Sequence, residues 1–104
     1  MPLNEADKRA KRIDEAENEY REAIKLNPDD AAAHYNLGNL LYILERNEEA
    51  EKEYREAIRT GPDDAAAHYN LALLLNSLSR KAEAEAEFRE AMRINPDLPP
   101  LPGS

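Results

Sequence analysis

Between Glu5 and Leu26 the chain has neither glycine nor proline, and Ala6, Ala10, Ile13, Ala16, Tyr20, Ala23 and Ile24 fall near helical spacing. With Asn4 placed to cap the first turn, the pattern predicts one long helix. Asn27-Pro28-Asp29-Asp30 stops it, because proline disfavours helix before it, while Asp30 is suited to cap the next helix. From Ala31, Leu37, Leu40, Leu41 and Leu44 mark the apolar face of a second helix ending near Leu44. Asn47 then offers a cap for a third, from about Glu48 to Arg59. Thr60-Gly61-Pro62-Asp63-Asp64 repeats the punctuation. A fourth helix, Ala65 to about Leu78, is expected to bury Leu71, Leu74, Leu75 and Leu78. A fifth, about Lys81 to Ile94 with Ser79 as a weaker cap, is expected to bury Ala84, Phe88, Ala91, Met92 and Ile94. After Asn95-Pro96-Asp97, the segment Leu98 to Ser104, LPPLPGS, is too rich in proline to be helical. It is expected to be extended or disordered. Its polyproline preference also suits it to a neighbouring copy's groove or to the open end of its own array. The closing Gly-Ser is expected to be a cloning remnant.

The pattern is periodic. Asp29 to Leu37, DDAAAHYNL, returns letter for letter as Asp63 to Leu71, 34 residues later. Upstream, EYREAIKLNPDD from Glu19, EYREAIRTGPDD from Glu53 and EFREAMRINPDL from Glu87 keep the same period, so repetition covers most of the chain.

Composition narrows what such an array can do. With 104 residues and 41% apolar content there is material for one small domain. The absence of cysteine removes disulfides, thiolate metal sites and a cysteine nucleophile. A net charge of −8 argues against nucleic acid and anionic membrane surfaces as partners. No apolar run approaches the roughly 18 residues of a membrane span, and MPLNEADKRAKR lacks a signal peptide's apolar region. The expectation is a soluble, cytoplasmic protein. Charges of both signs interleave along Glu45–Arg59 and Arg80–Arg93, and Lys8, Arg9, Lys11 and Arg12 stand among acids, as expected of solvated helix faces.

These residues resemble the tetratricopeptide repeat family, whose unit is a helix hairpin of 34 residues. Its large, leucine, small, large pattern in helix A is met by His34, Leu37, Gly38 and Leu41, with Ala50, Tyr54 and Ala57 in helix B and Pro62 closing the unit. The second repeat supplies His68, Leu71, Ala72 and Leu75, then Ala84, Phe88, Ala91 and Pro96. The small residues let paired helices approach, and Tyr54 or Phe88 fills the seam. The resemblance implies an all-α, right-handed α-solenoid of about two and a half repeats and five helices. Residues 1–98 form one domain: 5–27 an unpaired B-like helix, 31–64 the first full repeat, 65–98 the second; 99–104 is a proline-rich tail. The family's tryptophan is replaced by His34 and His68, and its turn glycine and tyrosine by Glu45 with Asn47 and by Ser79 with Lys81. Without a glycine to take a left-handed turn, each hairpin is free to straighten and exchange partners with another copy. The first unit shows only a helix B pattern, at Ala16, Tyr20 and Ala23, and no polar closing helix follows Pro96. Unfinished ends lead to an expectation of self-association.

Little in the sequence points to catalysis. Asp30 with His34, and Asp64 with His68, have the spacing of a ligand pair, but each aspartate is placed as a cap and each histidine as a packed ring. No nucleophile elbow, phosphate-cradling loop or zinc-protease motif occurs, so no catalytic residue, metal or cofactor is assigned. What remains is surface. The resemblance implies a concave face built by the A helices, lined by Tyr35, Asn36, Asn39, Tyr42, Ile43, Tyr69, Asn70, Leu73, Asn76 and Ser77. Asparagine amides suit the backbone of an extended peptide, and tyrosine faces suit proline or aliphatic side chains. Tyr35 and Tyr69 also have a plainer reading as cover for neighbouring helices. The family's carboxylate clamp would find its asparagines at Asn39 and Asn70, but its first lysine falls at Tyr35 and its other cations belong to a repeat that is absent. A neutral, apolar or basic extended segment is therefore the expected ligand of a non-catalytic protein-interaction module. The alternative is an engineered building block whose role is folding or self-assembly as a swapped or stacked homo-oligomer, which the near-identical repeats also suit.

Overall fold

The capping aspartates and asparagine act where the pattern puts them. In a computed structural model describing residues 1–103, Asn4 Oδ1 accepts from the Asp7 amide at 2.8 Å and opens α1 (Glu5–Leu26). Asp30 accepts from the Ala33 amide at 3.1 Å ahead of α2 (Ala31–Ile43), and Asp64 from the Ala66 amide at 3.0 Å ahead of α4 (Ala65–Ser77). The helices α3 (Asn47–Thr60) and α5 (Lys81–Ile94) begin differently. Neither Asn47 nor Ser79 caps: Asn47 lies inside the first turn of α3 with its Oδ1 buried and unpartnered, and Arg46 and Arg80 occupy the cap positions with no side-chain bond to the free backbone amides of the first turn.

The reason lies in how the preceding helices stop. Glu45 and Ser79 take left-handed backbone, with φ of 60° and 62°, although neither is glycine. The amides of Glu45 and Arg46 then reach the Tyr42 and Leu41 carbonyls at 2.9 Å each, and those of Ser79 and Arg80 reach Asn76 and Leu75 at 3.1 and 2.9 Å. This is the double closure of a Schellman motif, which satisfies carbonyls the helix end would otherwise leave open. It holds each hairpin closed within the chain; the straightened, swapped alternative that the missing glycines left open is not the form adopted here.

Each A helix pairs with its B helix, α2 with α3 and α4 with α5, while α1 lies on α2 and α3 on α4. The result is an all-α solenoid, 51 × 32 × 24 Å, with a continuous core of Leu37, Leu41, Ala50, Tyr54, Leu71, Ala72, Leu74, Leu75 and Ala84. Gly38 sits so close to Tyr54 that a Cβ there would meet the ring at 2.8 Å; the second repeat has Ala72 and the half-buried Phe88 at the corresponding positions. Burial thins toward the ends. α1 has no buried residue, Leu78 is exposed, and Phe88, Met92 and Ile94 are half-buried where full burial was expected. The C-terminal segment is seated: Leu101 is only 4% exposed and joins the core.

Candidate functional site

Three of the expected lining residues meet in one network between α2 and α4. Tyr54, from α3, points its hydroxyl through the seam and donates to Asn39 Oδ1 at 2.5 Å. Asn70 Nδ2 donates to the same oxygen at 2.9 Å and to the Tyr35 hydroxyl at 3.1 Å. The Asn39 oxygen and the Asn70 amide nitrogen are thereby committed, whereas Asn39 Nδ2 and Asn70 Oδ1 have no protein partner among the described residues. Neither is a buried orphan, so both meet solvent. Burial pushes the Tyr54 hydroxyl well above its usual pKa, and the neighbouring Tyr35 and Tyr42 add to the effect, so it remains a donor.

The other lining residues are placed less uniformly. Tyr35 and Tyr69 tilt against Tyr54 and Phe88, with ring centroids 6.3 and 6.2 Å apart, so both rings serve packing as well as surface. Tyr42 and Leu73 are half-buried against the core, while Asn36 and Ile43 are exposed, Ile43 at 75%. Asn76 Nδ2 donates to the Pro102 carbonyl at 2.9 Å and so belongs to the tail contact. Tyr54 was expected only to fill a seam; its place in the polar network was missed. The signal was present in the repeat, since Tyr54 and Asn39 are replaced together by Phe88 and Leu73 one period later.

The histidines join turn to hairpin. His34 Nδ1 lies 2.7 Å from Glu53 Oε1 and Nε2 lies 2.7 Å from the Pro28 carbonyl; His68 repeats this with Glu87 at 2.7 Å and Pro62 at 2.9 Å. Burial opposes a charge on His34, but its bonds to the Glu53 carboxylate and the Pro28 carbonyl prevail, and its pKa is raised. Asp30, which the sequence placed beside His34, spends its carboxylate on the helix cap instead.

The charged faces are also organised. Arg46 bridges Glu17 and Glu49 at 2.8 Å each, joining α1 to α3. One period later Arg80 bridges Glu51 at 2.6 Å and also Glu83, joining α3 to α5. A cleft of about 630 Å³ between the two hairpin turns is lined by Arg46, Glu49, Glu51 and Arg80 with Asn47 and Leu78. Both arginines there are already paired, and the lining is that of a repeat junction.

A stack of two closed hairpins and a leading helix, tied by a 34-residue period, defines a helical-repeat scaffold. The family model described as Tetratricopeptide repeat matches residues 6–64 and 44–99, and the chain belongs to the tetratricopeptide repeat family. Members of this family are non-catalytic modules that mediate protein–protein interactions. The fold is similar to the TPR domain of Arabidopsis OM64, with a TM-score of 0.79 and 30% identity over 89% of this chain and 77% of that one. It is also similar to MamA from AMB-1, with a TM-score of 0.76 and 22% identity over 88% of this chain and 50% of that one; this likeness concerns the fold alone. No curated protein matches the chain. Among the described residues no helix is long and apolar enough to cross a membrane.

Proposed function

We propose that the chain captures an extended peptide segment of a protein partner across α2 and α4, with Asn39 and Asn70 holding its backbone. The observation that carries this reading is the pairing of the two amides. Their shared bond leaves one donor, Asn39 Nδ2, beside one acceptor, Asn70 Oδ1, and these are the two functions that a peptide unit satisfies. Tyr54 holds Asn39 from within the core, so the pair is oriented before any ligand arrives. Tyr35, Tyr42, Tyr69 and Leu73 flank it with half-buried apolar surface, and Asn36 and Ile43 stand exposed on the same helices. A net charge of −8 favours a neutral, apolar or basic segment over an acidic one.

The test is a peptide array followed by calorimetry. Basic, apolar and acidic extended peptides are screened, and hits are measured on the native protein and on Asn70→Ala. Loss of at least about tenfold in affinity, equivalent to ~1.4 kcal/mol, with unchanged helix content is expected. Hits that bind both proteins equally would remove the groove as the site.

A second reading, a building block for self-assembly, draws on α1. No residue of that helix is buried, and Leu26 is 79% exposed. On this reading the molar mass by light scattering rises with concentration, and Asn70→Ala leaves that rise unchanged.

A further inference from the structure

We propose that the segment Leu98–Gly103 is an internal ligand, and that the surface beneath Leu101, on α4 and α5, is a second docking site taking an extended leucine–proline segment from a partner protein. The repeat explains why this surface exists. Leu74 stands one period after Leu40, and α2, which carries Leu40, packs against α4 of the following hairpin. No further hairpin follows α5 among the described residues, yet Leu74 is fully buried. Leu101 supplies the cover: it is the one buried residue of Leu98–Gly103, in which Leu98 is half-buried and Pro99, Pro100, Pro102 and Gly103 are exposed. Leu101 lies in the same apolar cluster as Leu71, Leu74, Leu75 and Ala84.

The attachment is slight and built for release. Beyond Leu101 and the half-buried Leu98, one side-chain hydrogen bond holds the segment, from Asn76 Nδ2 to the Pro102 carbonyl at 2.9 Å. Among the described residues no backbone–backbone hydrogen bond ties Leu98–Gly103 to the helices. The prolines lack amide hydrogens and favour an extended shape, so the segment docks at small conformational cost and without forming another helix. A leucine anchor with a flanking carbonyl held by an asparagine describes what the surface recognises, and any extended Leu-Pro segment carries both. Its own tether raises the local concentration of the tail to the millimolar range, so a partner must outcompete the tail to enter. The site differs from the Asn39–Asn70 pair, whose bonds are to each other, Tyr35 and Tyr54.

The experiment uses the full chain with Leu101→Asp, which keeps the tail but denies it burial. The probe is a fluorescein-labelled peptide of the sequence Asp97–Gly103, read by fluorescence anisotropy. The expected result is binding at least about tenfold tighter to Leu101→Asp than to the native protein, and none by a peptide carrying Leu101→Ala. Equal affinity for both proteins, or no binding to a helical, monomeric Leu101→Asp, overturns the proposal. If that variant does not fold, the native protein is titrated with unlabelled peptide to several millimolar. Movement of the Leu101 methyl resonances to their solvent-exposed positions supports displacement, and unmoved resonances overturn it. A native mass that doubles with concentration while Leu101→Asp stays monomeric overturns the choice of a separate partner in favour of a second copy's tail. Because the probe is the tail itself, failure here leaves the groove reading untouched.

Discussion

At the residue scale, close approach between α2 and α3 depends on what Gly38 lacks. The Tyr54 ring is fully buried and its hydroxyl is held by Asn39, so the ring has no room to retreat from an added methyl. Overpacking costs ~1–3 kcal/mol, against which alanine regains up to ~1 kcal/mol of helix propensity. Gly38→Ala is expected to lower the urea unfolding midpoint, by a net ~1 kcal/mol at the middle of those ranges. Ala72→Gly is the contrasting change, since it removes helix propensity without relieving a clash. Position 72 already carries that methyl, and the residue one period after Tyr54 is Phe88, which is only half-buried and has no hydroxyl.

At the element scale, the hairpin turns close at a cost that glycine would remove. Glu45 and Ser79 hold left-handed backbone that L-residues disfavour by ~1–2 kcal/mol, part of which glycine returns through the greater freedom of the unfolded chain. Glu45→Gly and Ser79→Gly are each expected to stabilise by ~0.5–1 kcal/mol, read as a higher unfolding midpoint with unchanged denaturant slope. A drop in stability for either would mean the side chain does more than its backbone geometry suggests. The same turns explain why α3 and α5 lack side-chain caps. The residues at their starts are occupied in closing the helices before them.

At the scale of the whole molecule, pH acts on stability from two sides. His34 has a raised pKa, so its charged contacts with Glu53 and the Pro28 carbonyl contribute fully below the unfolded value near ~6.5 and are lost as pH rises through the folded value. Glu17 and Glu51 are held below the usual carboxylate range by their bonds from Arg46 and Arg80. Their contribution is present above the unfolded value near ~4.3 and lost as pH falls through the folded one. The unfolding midpoint is expected to peak in mildly acidic solution and to decline as pH rises through the raised folded value of His34. His34→Phe should flatten the alkaline decline and leave the acid limb in place; an unaltered alkaline slope would assign that decline to other groups. The acid limb joins repeat to repeat, because Arg46 with Glu17 and Arg80 with Glu51 bridge successive B helices at the same register.

The number of helices, the full span of α1 and of α5, the capping roles of Asn4, Asp30 and Asp64, and the family itself were legible from spacing, punctuation and period. Each follows from interactions within a few residues or from repetition of letters, which a sequence displays directly. The pairing of Asn39 with Asn70, 31 residues apart, was not legible, because it depends on the angle at which α4 meets α2. The left-handed turns ran against local preference and were decided by the packing of each hairpin, which outweighs a cost confined to one residue. The Arg46 and Arg80 clamps looked like solvated charge until successive helices brought their partners into reach. The tail is the clearest case: its prolines specify an extended chain, but only the unfilled face beside Leu74 decides that Leu101 has somewhere to be buried.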